Sequence, residues 1–427
     1  MSNRKKIFHI ARTGTTLLLG WILCILSFPA TTYADNFPFI GTLHAGNKPE
    51  ALAVDSQTHM LYIAYESPGV IVGFDPLSGN VRWRTKLGDS ATDVQVDSIS
   101  HRVFAASTTY DNKQTTLSML DGATGNIIFN SLIPFGDESL ALDSNRQRVY
   151  VASGDGGIVN SFTFISGWQN GPVRVDKAQL HIGSHPQALG VNSHLGRLYV
   201  ADGAKHQVTV IDEDSGNTIA TILVGEVPLN PIRIDEATGR VYIVCSTSQE
   251  LDVIDGNSNR VIAHPRVIAY PEGVAFDTAT NRIYVGNEGD MENSSVQHNS
   301  GNSITVIDGH SLNVLGTLRV GLSPDGIMAD PDLHRIYVSA EDSNAVVEIS
   351  DSPNLAMFLT NTQNQLIAAG LATTLLQQAT TITLFLMIVT FLMATLFALL
   401  RRWREQEIPQ TRQEDVSSDL KKHSLPL

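Results

Sequence analysis

Cysteine is almost absent from this 427-residue chain: Cys24 and Cys245 are the whole complement. Cys24 falls in a segment expected to be removed on export. That leaves Cys245 without an intrachain partner and excludes both a disulfide framework and a multi-cysteine metal site. Basic residues are also in deficit: 29 Lys and Arg stand against 43 Asp and Glu, a formal net charge of −14. Phosphate neutralisation needs clustered cations, so no nucleic-acid partner is expected. Catalytic signatures are missing too. The chain has no Gly-x-Ser-x-Gly, no His-Glu-x-x-His, no phosphate-binding glycine loop and no Cys-x-x-Cys-His haem attachment. The last absence argues against covalent haem while leaving room for a separate cytochrome partner.

The two ends carry the long apolar runs. Arg4, Lys5, Lys6 and Arg12 precede an apolar stretch from Leu17 to Phe28, followed by Pro29 and then Thr32-Tyr33-Ala34. A basic region, a hydrophobic run of about a dozen residues and a small-x-small site fit a secretory signal over residues 1–34 with expected cleavage after Ala34, an uncleaved anchor being the alternative. Near the other end no charged residue occurs between Asp351 and Arg401. Residues 379–400 are apolar apart from Thr, a length that suits a hydrocarbon core of about 30 Å at about 1.5 Å rise per residue. The run stops at Arg401-Arg402-Trp403-Arg404. Arginines beyond a span favour the cytoplasmic side, and Trp suits the interface. The expected layout is an extracytoplasmic body over 38–350, a membrane-proximal linker or helix over 351–378, a single transmembrane helix over 379–400 and a cytoplasmic tail over 401–427. The expected location is the inner membrane, with the body in the periplasm.

The body is repetitive. A strand ending in Asp or Asn, a short polar turn and an aromatic-centred strand recur seven times, with Tyr62, Phe104, Tyr150, Tyr199, Tyr242, Tyr284 and Tyr337 at the equivalent aromatic position. The spacings between them are 42, 46, 49, 43, 42 and 53 residues. A period in the forties is that of a four-stranded propeller blade. A third strand such as Val208-Thr-Val-Ile-Asp212 and a turn such as Asp121-Gly-Ala-Thr-Gly125 complete most units. Asp opens these turns by bonding its own backbone and Gly supplies positive φ, so turn chemistry accounts for the repeated aspartates. Fourth strands lead into the next unit with Gly-x-x-Pro, as in Val224-Gly-Glu-Val-Pro228. One such strand, Ile40-Gly-Thr-Leu43, has no unit before it, while the seventh unit ends near Ser350 with three strands. The expected fold is an all-β, seven-bladed propeller closed by this N-terminal strand, which removes two open sheet edges.

The strands Arg148-Val-Tyr-Val-Ala-Ser153, Arg197-Leu-Tyr-Val-Ala-Asp202 and Arg282-Ile-Tyr-Val-Gly-Asn287 resemble the hallmark strand of the YVTN family of β-propellers. The resemblance covers about residues 38–350. It implies the fold. Members of that family include extracytoplasmic binding proteins, surface-layer proteins and relatives of propellers that hold redox cofactors or hydrolyse lactones. The motif marks blade scaffolding and transfers no catalytic residue.

In such a ring the loops from fourth to first strand and from second to third strand share one face around the channel. That face collects the candidate ligand-binding residues His185, Asp202, His206, Glu226, Tyr270, Glu272, Glu288 and Asp325, and the long insertion 287–303. A polar loop on a rigid scaffold is a natural place for recognition. No cofactor and no catalytic residue is assigned, and a divalent metal held by His and carboxylates on this face is the alternative. The functional expectation is a membrane-anchored scaffold that binds a protein or small-molecule partner. The second reading is an enzyme, either a lactonase-like hydrolase or a redox-associated subunit working with a membrane carrier.

Overall fold

A computed structural model describes residues 39–351, apart from 45, 111–113, 134–138, 184, 230, 269 and 290–300, and beyond them Thr390, Met393 and Ala394. The chain divides into units 1–360 and 361–427, and the architecture below is that of the first. The expected signal over 1–34, the expected tail over 401–427 and, apart from Asp351, the expected linker over 351–378 lie outside the described residues. So does most of 379–400, of which Thr390, Met393 and Ala394 are helical. Among the described residues no helix is long and apolar enough to cross a membrane.

Residues 39–350 form seven four-stranded antiparallel sheets. Blade 1 spans 49–86, blade 2 90–133, blade 3 140–181, blade 4 186–223, blade 5 233–263 and blade 6 271–319. Blade 7 takes Pro324–Asp330, Arg335–Ala340 and Ala345–Ser350 from the end of the body and Phe39–Leu43 from its start. The closing strand runs antiparallel to Ala345–Ser350 with Thr42 opposite Val347 and Leu43 opposite Val346. The first strands of successive blades contact one another in order around the ring, and that of blade 7 returns to that of blade 1. These strands therefore surround the axis.

Each blade packs on the next through its second strand. All seven repeat aromatics are at most 2% exposed. They sit among Val, Ile, Leu and Ala side chains from adjoining blades. The residue two before the aromatic is basic in most repeats, and it has a repeated task. Arg148, Arg197 and Arg240 donate across the junction to the backbone carbonyls of Glu213, Gly256 and Gly309, each just after the third strand of the following blade. Arg282 meets the Asp351 carboxylate at the equivalent place in blade 7. Blade 1 has no such arginine, and there Tyr62 Oη and Trp83 Nε1 donate to the Gly122 carbonyl of blade 2 at 3.3 and 2.8 Å. Charge-assisted bonds to otherwise orphaned carbonyls fix the angle between blades.

The aspartates closing the first strands act as the sequence predicts. Asp55 Oδ1 accepts the Gln57 amide at 2.9 Å, and Asp143 Oδ1 accepts that of Arg146 at 3.0 Å. Some of them also tie blades together. His101 of blade 2 pairs with Asp55 of blade 1 at 2.7 Å, and His59 of blade 1 pairs with Asp330 of blade 7 at 3.0 Å, across the closure.

Where the first strands of blades 6, 7 and 1 converge, glycine makes the close approach feasible. A Cβ on Gly273 would stand 1.7 Å from the Asp325 carbonyl, and one on Gly326 would stand 2.3 Å from that of Glu50. We expect Gly273→Ala to lower unfolding stability by about 1–3 kcal/mol or more, because backbone is what it meets. Gly41→Ala, whose added carbon finds nothing nearer than 3.9 Å, should be close to neutral in the same denaturant titration.

Candidate functional site

The first strand of a blade begins irregularly. Pairing with the second strand slips between Pro49 and Leu52, between Pro271 and Val274, and between Pro324 and Ile327. A bulge re-aims side chains. Here it turns the residue after the opening proline onto the channel. In blades 1, 4, 6 and 7 that residue is Glu50, Gln187, Glu272 and Asp325, and all four line one cavity of about 170 Å³. Thr92 and Asp93 of blade 2, and Leu229, Pro231 and Arg233 of blade 5 and its leading loop, complete much of the wall. Six blades contribute, so the cavity lies on the axis.

A second tier of carboxylates comes from the residue directly after the second strand: Glu66 in blade 1, Glu288 in blade 6 and Glu341 in blade 7. Each donates its backbone amide to the residue that precedes the opening proline. Glu66 bonds Lys48 O at 2.9 Å, Glu288 bonds Tyr270 O at 3.0 Å and Glu341 bonds Ser323 O at 2.9 Å. Lys48, Tyr270 and Ser323 all carry φ near +50°. The same turn thus sets two carboxylates against the channel in three consecutive blades. Of the three residues heading those turns, Lys48 alone is a cation; its ammonium bridges Glu66 at 3.0 Å and Glu341 at 2.8 Å.

The charge is uneven around the ring. Blades 6, 7, 1 and 2 supply the acids, while blades 4 and 5 supply an amide, apolar groups and Arg233. Arg233 Nε donates to the Val274 carbonyl at 3.2 Å, and burial pulls its pKa below the ordinary value. Asp93 accepts backbone amides from Val94 and Leu140, both at 2.7 Å. Among the described residues no donor meets the Asp325 or Glu50 carboxyl. Burial, reinforced by Asp325, Glu66 and Glu341, pushes Glu50 up to about 10. Burial and the neighbouring Glu341 and Glu288 likewise hold Asp325 well above the carboxylate range. Glu272 is raised by burial, by Asp325 and by a hydrogen bond with Glu288. Burial and neighbouring negative charge thus favour the protonated form of these acids.

Of the sequence-predicted residues, Glu272, Glu288 and Asp325 converge here, and Tyr270 heads the turn that presents Glu288. The others sit in the blade 4–5 region. The buried Asp202 caps its own turn, accepting the Ala204 and Lys205 amides at 3.1 Å. His206 Nδ1 accepts the Val227 amide at 3.2 Å, and the His185 carbonyl accepts that of Gly203 at 3.2 Å. Glu226 is exposed and its amide donates to Ser248 Oγ at 2.9 Å. Among the described residues the three-ligand group of His and carboxylate is formed by Glu250, Asp252 and His264. Residues 290–300 of the long insertion lie outside the described residues. Sequence reasoning missed Glu50, which looks like part of a strand. The recurring Pro-acid dipeptide, Pro49-Glu50, Pro271-Glu272 and Pro324-Asp325, was the available signal.

The fold and channel define a seven-bladed β-propeller with an acidic axial pocket. No family model matches the chain. The uncharacterized protein YncE of Salmonella typhimurium (strain LT2) is 23% identical over 255 residues, 57% of this chain and 70% of that protein. YncE of Salmonella typhi matches with the same identity and coverage. Among solved structures, the β-propeller domain of Cps50 (Swd1) from Myceliophteria thermophila superposes with a TM-score of 0.61 at 9% identity, covering 74% of this chain and 99% of that one. At that identity the likeness speaks for the fold alone.

The raised Glu50 pKa has a consequence for stability. A carboxyl that holds its proton more tightly folded than unfolded favours the fold fully below about pH 4.5, and that advantage is lost as pH rises towards 10. Glu50→Gln keeps the shape and removes the titration. Its melting temperature should match the parent near about pH 4 and exceed it by a few degrees near about pH 9. A parallel pair of melting curves across pH would reverse this assignment.

Proposed function

We propose that this chain is a membrane-tethered, extracytoplasmic binding propeller that takes a small cationic ligand, a divalent cation or a protonated amine, in its acidic channel mouth. The observation that carries the reading is that Glu50, Glu272 and Asp325 line one cavity in which Arg233 bonds a backbone carbonyl instead, and that among the described residues no cation holds any of the three. Buried carboxyls without counter-charge are costly. A positive ligand would displace their protons and remove that cost. The small cavity suits a bare or partly hydrated ion or a short alkylammonium rather than a large metabolite. Rigid blades fix the carboxylates, so little ordering is needed on binding.

Proton displacement supplies the test. The fragment 35–350 contains every strand of the closed ring and is suited to titration with Ca²⁺ and with spermidine as separate probes. Affinity for the correct class should rise by up to about tenfold per pH unit for each proton released. The triple variant Glu50→Gln, Glu272→Gln, Asp325→Asn should bind at least tenfold more weakly. Affinity that is flat from about pH 6 to 9, or equal in the variant, would remove the ligand assignment.

The tether follows from the apolar run 379–400 ahead of Arg401-Arg402-Trp403-Arg404, and the export from the signal pattern ending at Ala34. Protein recovered from membranes should begin at Asp35 by N-terminal sequencing. Removal of 379–427 should release it to the soluble extracytoplasmic fraction. Recovery of a chain starting at Met1 from the cytoplasm would refute this layout.

A further inference from the structure

Away from the axis, at the junction of blades 4 and 5, four chemically reactive side chains share one side of the blade 5 sheet. Cys245 ends the strand Arg240–Cys245, opposite Glu250, which opens Glu250–Asp255. Asp252 lies two residues on, so its side chain shares the face of Glu250. His264 follows the outer strand Arg260–Ala263. One ligand atom from each of Glu250, Asp252 and His264 lies within 4.8 Å of the other two.

The cluster is built rather than accidental in its surroundings. Asp252 is wholly buried; its Oδ1 pairs with His264 Nδ1 at 2.6 Å and its Oδ2 accepts the Gly225 amide at 2.8 Å. The Glu250 side chain is 13% exposed, and the His264 ring is 55% exposed. Gly225, from the loop leading out of blade 4, caps the cluster at a position with no positive φ to explain a glycine. A Cβ there would stand 2.6 Å from Glu250 Oε1 and 2.7 Å from Cys245 Cβ. The nearest atom to that carbon would be Ser248 Oγ at 2.2 Å, so the glycine of the repeated Gly-x-x-Pro lets this loop lie directly on the cluster. The buried Cys245 thiol backs the group, its pKa driven upward by burial and by Asp252 and Glu250.

We propose that Glu250, Asp252 and His264 form a binding site for a first-row transition-metal dication, with Zn²⁺ as the type. One imidazole nitrogen and two carboxylate oxygens with a solvent-facing side match a three-ligand site that keeps a position open. Imidazole disfavours Ca²⁺ and Mg²⁺, which take oxygen. Ligands on a tetrahedral metal at about 2.1 Å stand roughly 3.4 Å apart, wider than the Asp252–His264 contact. The imidazole, more than half exposed, has room to draw back by that difference. Arg266, whose Nη1 lies 3.9 Å from Glu250 Oε2 and donates to the Ser248 carbonyl at 2.5 Å on a 75% exposed side chain, is the resident competitor. This site is separate from the channel, and its test does not depend on the channel reading.

The experiment uses untagged full-length protein in detergent, stripped with a chelator and titrated with Zn²⁺ by calorimetry and with Co²⁺ by absorbance. In the channel triple variant one equivalent of Zn²⁺ should bind, and Co²⁺ should give the intense visible bands of low coordination. Asp252 is buried and its replacement risks misfolding, so the deciding variants are His264→Ala, at an exposed position, and the near-isosteric Glu250→Gln. Each should weaken Zn²⁺ at least tenfold, while Arg266→Ala should strengthen it. Absence of stoichiometric binding overturns the proposal. So does binding that survives both substitutions, including binding that is lost instead in the channel triple variant.

Discussion

Every feature of this molecule depends on the pairing of Phe39–Leu43 with Ala345–Ser350. Seven blades stacked on one another would otherwise end in an exposed blade face at each end and a bare strand edge on the last. The ring instead returns the last inner strand to the first. The contacts that cross this seam are local copies of those elsewhere in the circle, as in the pairing of His59 with Asp330. The Lys48 amide bonds Asn344 Oδ1 at 2.9 Å, and His44 Nδ1 lies 3.1 Å from the Asn344 carbonyl, so the segment after the closing strand is fastened to blade 7 as well. Loop closure over about 300 residues carries an entropic cost that grows only logarithmically with length, and a full strand pairing with a buried inner face offsets it.

Closure also creates the site. A propeller is nearly symmetric in backbone, so the position after each opening proline recurs around the axis. What the ring does with that position is asymmetric. Blades 6, 7 and 1 place carboxyls there and a second carboxylate behind, whereas blade 4 places Gln187 and blade 5 an apolar loop and Arg233. Blades 7 and 1 are neighbours only because the ends of the body meet. Glu50 and Asp325 are about 275 residues apart in sequence, and only the seam buries them together, which adds the Asp325 charge to the burial that raises Glu50.

Much of the fold was legible in the sequence. The seven aromatic positions, the aspartate turns and the orphan outer strand at the start gave blade number, strand order and the closing partner, because each is a local pattern tied to a local backbone requirement. The arginine before the aromatic was visible as a motif, but its partner was not: the carbonyl it meets belongs to the next blade, some 60 residues on. The site was legible in part. Glu272, Glu288 and Asp325 were singled out by their loops, while Glu50 hid inside an apolar run and Asp202, equally conspicuous in sequence, proved to be a turn cap. Glu250 and His264 carried no spacing signal, since neighbours in adjacent strands of a sheet need not be periodic along the chain.

The sequence by itself determined the repeat, the turns and which residues point inward, since alternation along a strand and the demands of a tight turn are settled within a few residues. Tertiary structure alone decided which carboxyls share a cavity and in which direction their titration is shifted. Those depend on distances across the ring and on burial, which are properties of the assembled circle and of no segment taken singly.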